Sequence, residues 1–236
     1  MTLEHIVKET KAFYCLECGK CSGLCPISRH NPAYSPRVMV ENALLGLEND
    51  LVHTRELFSC LTCYACHLKC PSEVDYPLFI QKTRALASTY GEHGDCAHSG
   101  TLQALTRLMA NSAVKQRRLD WLSDGYRLSS QSDVLFFVGC APYFAPLFED
   151  IGAKPLDSAK DSLRILNSTG IEPMLLPDEK CCGHDLLWTG DIEGFRKLAE
   201  HNAAAIRGAG VKKIVFACPE CYRTFKEDYP KHVKMD

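Results

Sequence analysis

The chain has 236 residues, 46% of them hydrophobic, and a formal net charge of -2, which suits one large domain or two small ones with ordinary cores. With no basic excess to neutralise phosphates, a nucleic-acid footprint is excluded. The N-terminal MTLEHIVKETKAFYC has no apolar signal-peptide core, and the longest apolar stretch, residues 134–148, is broken by two prolines and Gly139, so it falls short of the roughly 20 apolar residues that span a bilayer. The expected location is cytoplasmic, peripheral to a membrane only through a partner subunit.

Fourteen cysteines narrow the class further. In a compartment that keeps thiols reduced, cysteines at this density read as metal ligands. A secreted disulfide scaffold would be far shorter and would carry a signal sequence.

In chain order, the first element is a cysteine run, Cys15-x-x-Cys18-x-x-Cys21-x-x-x-Cys25-Pro26. Ser35-Pro36 then reads as an N-cap with proline at the first helical position, predicting a helix to about Gly46. A second run follows, Cys60-x-x-Cys63-x-x-Cys66-x-x-x-Cys70-Pro71, and after Pro77 a helix through Leu78, Ile80 and Leu86. Residues 99–118 read as another helix, with Leu102, Leu105, Leu108 and Met109 on one face. The polar, Ser-rich segment 121–132 reads as a linker.

Beyond it the pattern changes. Residues 134–139 form a short apolar run, as expected of a buried strand. Asp157 is placed to cap a helix through Asn167, with Ala159, Leu163 and Leu166 at helical spacing and Gly170 at its end. Residues 174–176 predict a second strand. Asp191 opens a helix with Phe195, Leu198 and Ile206 inside, and 214–217 predict a third strand ending at Cys218. Strands alternating with helices imply a parallel sheet, and ligands gather at the carboxyl ends of its strands. Cys140 and Cys218 sit at such ends. The fold class is therefore α+β overall. An all-helical two-cluster domain is expected over 1–120, a linker over 121–132 and a small α/β domain over 133–236.

Both cysteine runs have the two-cluster ferredoxin spacing, in which the fourth cysteine of each run ligates the other cluster. Three cysteines at i, i+3 and i+6 wrap one face of a cubane, and the extended backbone before proline carries the fourth away. This assigns Cys15, Cys18, Cys21 and Cys70 to one 4Fe–4S cluster and Cys60, Cys63, Cys66 and Cys25 to the other. Zinc would take C-x-x-C pairs with four ligands in all; it explains neither the third cysteine nor the trailing Cys-Pro of each run. The long, helical interval between Cys25 and Cys60 resembles the all-helical ferredoxin domain of heterodisulfide reductase, of anaerobic glycerol-3-phosphate dehydrogenase and of the iron–sulfur protein of succinate dehydrogenase.

A second set, Cys140, Cys181-Cys182-Gly183 and Cys218-Pro219-Glu220-Cys221, resembles the CCG domain of the heterodisulfide reductase family. The resemblance implies that Cys140, Cys181, Cys182, Cys218 and Cys221 hold a third, noncubane iron–sulfur cluster, with Cys181 and Cys182 at the reaction site. Gly183 is expected where the backbone approaches closely. Zinc, a simpler cluster and a redox-active Cys181–Cys182 pair are the other readings of these residues.

Together the motifs resemble an iron–sulfur subunit of heterodisulfide reductase-like complexes. The resemblance implies electron transfer from a flavoprotein or membrane quinol-oxidising partner, through two 4Fe–4S clusters, to a CCG cluster that reduces a disulfide or similar acceptor. The alternative is a pure relay between partner subunits. Relatives of this layout carry two CCG domains and this chain has one. The expectation is one half of a larger unit, whose other half lies in further sequence or in a second CCG-domain chain. Cys96 is left unassigned. His67 and Lys69 read as surface residues and His184 as a loop histidine. Glu179 and Asp185 flank the CCG without a stated role, and no Gly-rich nucleotide motif is present.

Overall fold

Local chemistry sets most helix boundaries. The computed structural model describes residues 1–94 and 100–235; Cys96 lies outside them. In chain order the helices and strands are α1 (Leu3–Glu9), α2 (Lys20–Leu24), α3 (Pro26–His30), α4 (Pro36–Leu44), α5 (Glu48–Val52), α6 (Ala65–Leu68), α7 (Tyr76–Thr89), α8 (Thr101–Met109), β1 (Val134–Phe137), α9 (Ala141–Leu147), α10 (Pro155–Ser168), α11 (His184–Thr189), α12 (Ile192–Ala209), β2 (Lys213–Phe216), α13 (Pro219–Arg223) and α14 (Tyr229–His232). They divide into two compact units. One is Met1–Gln103 with Asp185–Ile192, and the other is Ala104–His184 with Glu193–Asp236.

The first unit is helical. Thr2, Ser35 and Asp75 cap α1, α4 and α7, each accepting a backbone N–H of the first turn, so orphan donors are met locally. The helix read from Ser35-Pro36 runs Pro36–Leu44, with Gly46 at φ 71° just past its end. The helix expected after Pro77 starts one residue before it, because Pro77 serves the first turn and Asp75 supplies the cap. Ile6, Leu51, Leu57, Phe79 and Ile80 are fully buried in one core. Helices α2, α3, α5 and α6 have only four or five residues, too short to hold alone, so tertiary contacts fix them. Helix α2 packs on α6, each lying inside one cysteine run.

The helix expected over 99–118 is shorter, Thr101–Met109. It stops where the Asn111 side chain accepts from the Ala113 N–H at 2.9 Å, a local turn that competes with helix. Its buried residues are Thr106 and Met109, while Leu108 is 57% exposed; Leu108 falls off the stripe that the tertiary packing selects.

In the second unit β1 and β2 pair in parallel, Val134 opposite Lys213 and Phe137 opposite Phe216. The strand expected over 174–176 is a single parallel bridge, Met174 to Leu135. Pro173 and Pro177 flank it, and proline has no N–H to extend a ladder. Met174 nonetheless bonds fully, its N–H to the Val134 carbonyl at 2.8 Å and its carbonyl to the Phe136 N–H at 2.9 Å. Helix α10 starts at Pro155, ahead of the expected cap at Asp157, since proline fits the first helical turn. Ala159 and Leu163 face inward from it, as Phe195, Leu198 and Ile206 do from α12. Residues 121–132, read as a linker, help build this unit. Trp121, Leu122 and Tyr126 pack against Phe136, Val138, Ala159 and Leu163, so the polar composition there hides a few apolar anchors.

Leu163 is fully buried where α10 meets the sheet. Leu163→Ala is expected to destabilise the second unit by roughly 2–5 kcal/mol. Urea unfolding of the full chain, followed by circular dichroism, checks this; an unchanged midpoint would remove α10 from the core.

Candidate iron–sulfur centres

The two cysteine runs fold alike. In the first, Glu17 and Gly19 have φ of 51° and 73°; in the second, Thr62 and Tyr64 at matching positions have 50° and 64°. Gly19 and Tyr64 then open α2 and α6. Left-handed turns of this kind aim successive N–H groups into a concavity. A tyrosine in the place a glycine takes in the sister run is strained, and the sequence pattern alone does not reveal that the two loops match.

Two cavities result. One is lined by Cys15, Cys18, Cys21, Cys66 and Cys70. The other is lined by Cys25, Cys60, Cys63 and Cys66. Cys25 thus leaves its own run for the second cavity, and Cys70 leaves its own for the first. Tyr76 borders both, its hydroxyl 2.9 Å from that of Tyr34. The donor set is thiol throughout, and backbone N–H groups serve it: Thr62 donates to Cys60 Sγ at 3.3 Å and Val74 to Cys70 Sγ at 3.4 Å. Burial pushes the Cys66 thiol up to about 12 and the Cys21 thiol above its usual range. The protein alone therefore does not hold these sulfurs as thiolates, whereas iron would. Convergent soft sulfurs with N–H···S support fit iron–sulfur clusters. His67, read as a surface residue, is half-buried and its Nδ1 lies 3.0 Å from the Val74 carbonyl, bracing the turn that presents Cys70.

The second unit brings all five of its motif cysteines together. Cys140 follows β1 and Cys218 follows β2 at their carboxyl ends. Hydrogen bonds link Cys140 to Cys181, Cys181 to Cys182, Cys182 to Cys221 and Cys221 to Cys218. Cys181, Cys182 and Cys221 are buried. Donation from Cys140 and Cys182 holds the Cys181 sulfur well below the usual thiol range, while Cys182, as donor to Cys181, is held well above it. The Cys221 thiol lowers the Cys218 pKa to about 6, helped by the N–H groups of Cys221 and Glu220. A β-carbon at Gly139 (φ 69°) would lie 3.1 Å from Cys221 Sγ, and one at Gly183 (φ 84°) 2.8 Å from the Phe195 ring. Both glycines therefore permit a close approach that other residues would obstruct.

Several side chains that the sequence reading passes over grip these loops. Arg118 and Glu179 form a fully buried pair 2.5 Å apart. The Glu179 carboxylate also accepts from the Val138 and Gly139 N–H groups at 2.9 and 2.8 Å, and Arg118 donates to the carbonyls of Gly139 and Glu179. One ion pair thus fastens the turn before Cys140 to the segment before Cys181. Burial pushes the Glu179 carboxyl up to about 7, against the pull of Arg118 and those two N–H groups. Asn202, inside α12, accepts from the Lys180 N–H at 2.8 Å and donates to the Cys181 carbonyl at 3.0 Å, and the Tyr229 hydroxyl donates to the Cys182 carbonyl at 3.1 Å. An asparagine on the inner stripe of an amphipathic helix was the available signal. His184 lies 3.1 Å from the Thr224 hydroxyl, and burial holds its imidazole below the usual range against the Glu220 carboxylate.

Two families of known domains match the chain, the 4Fe-4S dicluster domain over residues 11–74 and the cysteine-rich CCG domain over residues 134–226. The chain joins a 4Fe-4S dicluster domain to a CCG cysteine-rich domain. One polypeptide of the dihydromethanophenazine:CoB–CoM heterodisulfide reductase of Methanosarcina acetivorans is 35% identical over 118 residues, 48% of this chain and 27% of that one. One polypeptide of the fumarate reductase (CoM/CoB) of Methanothermobacter marburgensis is 28% identical over 92% of this chain and 44% of its own length. One polypeptide of the anaerobic glycerol-3-phosphate dehydrogenase of Escherichia coli K12 is 28% identical over 98% of this chain and 65% of its own. The chain thus spans about a quarter to two thirds of the length of these relatives. No helix among the described residues is long and apolar enough to cross a membrane.

Breaking the buried Arg118–Glu179 pair of the second unit is expected to be costly, because it leaves a buried carboxyl without its partner. Arg118→Met should lose roughly 3–5 kcal/mol, and the double variant R118M/E179Q less than that. Urea unfolding of the three proteins measures it; equal losses in the single and double variants would show that the pair is not coupled.

Proposed function

We propose that the chain is the iron–sulfur electron-transfer subunit of a heterodisulfide reductase-like oxidoreductase complex. The observation that carries the reading is the grouping of sulfurs: two cysteine-lined cavities in the dicluster domain and a linked set of five cysteines in the CCG domain. Cys15, Cys18, Cys21 and Cys70 hold one 4Fe–4S cluster; Cys60, Cys63, Cys66 and Cys25 hold the other. Cys140, Cys181, Cys182, Cys218 and Cys221 hold a third, noncubane centre. When bound, clusters at these sites accept and release single electrons, connecting a flavoprotein or quinol-oxidising partner to a disulfide-type acceptor. The protein's part is to fix the sulfurs, exclude water from Cys181, Cys182 and Cys221, and supply N–H donors to the ligating sulfurs. The three relatives are named as subunits of oxidoreductases, which supports a partner redox protein for this chain too.

Anaerobic reconstitution of the full chain should give three spectroscopically distinct centres, about eight irons belonging to the dicluster domain. Cys181→Ser or Cys182→Ser should remove the third signal and spare the other two. Cys25→Ser should damage the centre of the Cys60 run, and Cys70→Ser that of the Cys15 run. Stoichiometric zinc, or damage confined to the run that carries the substitution, would overturn the assignment. Oxidation of the reduced protein by an added disulfide, followed by electron paramagnetic resonance, tests the acceptor class. A third signal that never responds would leave the chain a relay between partner subunits.

A further inference from the structure

Arg84 sits in the interior of α7 with only 4% of its surface exposed. Its guanidinium is a fork that spans three backbone segments. Nε donates to the Leu57 carbonyl at 3.0 Å, Nη2 to the Cys60 carbonyl at 2.9 Å and Nη1 to the Trp188 carbonyl at 2.8 Å. The same guanidinium lies 5.6 Å from the centre of the Phe58 ring. Leu57 and Cys60 bracket the start of the second cysteine run. Trp188 belongs to α11, the helix that leaves the CCG motif, and its ring meets that of Tyr64 edge-on at 6.3 Å. Two further features press α11 to this spot. Gly190, at φ 100°, has no β-carbon, and one placed there would lie 2.6 Å from the Ala85 nitrogen. Trp188 itself is buried at 6% exposure.

We propose that Arg84 is a positioning residue that sets the reduction potential of the cluster held by Cys60, Cys63, Cys66 and Cys25, and that it fastens that cluster's shell to the segment that follows the CCG motif. The proposal rests on the ligand reading above. Its physics needs only the residue's charge and place. Arginine stays protonated at any accessible pH. A fixed cation one backbone carbonyl away from a ligating sulfur, in a buried and weakly screening setting, favours whichever redox state carries more negative charge. Reduction adds one electron to the cluster, so Arg84 stabilises the reduced form and raises the potential. The other cluster, whose ligands Arg84 does not bond through any of these three contacts, is affected less. Lysine would keep the charge, but its three N–H donors radiate from a single nitrogen and do not reproduce the planar spread by which Nε, Nη1 and Nη2 reach three separate segments.

The test uses the full chain, purified anaerobically, in a redox titration followed by electron paramagnetic resonance. Iron content and the number of signals are checked first, so that failure of the ligand reading shows there and not in the potential. Cys63→Ser assigns the signal of the Cys60 cluster. In R84Q the reduced-to-oxidised ratio of that cluster at a fixed potential should fall about tenfold, which is about 59 mV for a one-electron couple, with the Cys15 cluster shifting far less. R84K should fall between wild type and R84Q. Should R84Q not assemble its centres, R84K carries the test alone, through a smaller potential change or an altered line shape confined to the same signal. Unchanged potentials and line shapes in the variants that assemble, or equal shifts of both clusters, would overturn the proposal.

Discussion

Convergence of sulfurs is the constraint on which the first unit depends. Four of its helices have four or five residues, and isolated helices of that length do not persist in water. They stand because they are pinned between cysteines that face shared cavities and a small apolar core of Ile6, Leu51, Leu57, Phe79 and Ile80. The turns that deliver the sulfurs are strained: Glu17, Thr62, Tyr64 and Glu73 all have positive φ without being glycine. Such strain persists only where the surroundings over-determine the backbone. Metal ligation, coupled to folding, is the kind of interaction that does so.

The second unit solves the same problem with buried polar side chains. Its sheet has two paired strands and one bridge, a narrow platform for five cysteines arriving on three separate segments. Arg118 and Glu179 tie the turn before Cys140 to the approach to Cys181, and Asn202 and Tyr229 take the carbonyls of Cys181 and Cys182. These groups satisfy loop carbonyls and N–H groups that would otherwise be buried without partners. Arg84 performs the corresponding task in the first unit at Leu57, Cys60 and Trp188. In each unit a buried arginine reads main-chain carbonyls at or next to a cysteine, which fixes where the sulfur points.

Some of this is written in residue types and spacing. Two runs of C-x-x-C-x-x-C-x-x-x-C-P, a CCG and a C-x-x-C mark the cysteine sites, because a cluster demands sulfur at short, fixed intervals. The cap at Ser35 and the apolar stripes of α10 and α12 are local signals of the same sort. The sequence alone therefore carries the helical character of the first part and the two cysteine patterns that known domain families match.

Tertiary structure decided what depends on neighbours distant in the chain. The strand expected over 174–176 shrank to one bridge between two prolines, and Leu108 turned outward although it sits among apolar residues. Trp121, Leu122 and Tyr126 entered a core from a segment whose composition is polar. The roles of Arg84 and Arg118 were likewise invisible, since an arginine in sequence is by default a solvated residue. Only burial beside backbone carbonyls from other segments makes it a clamp, and burial is a property of the assembled chain rather than of any local stretch.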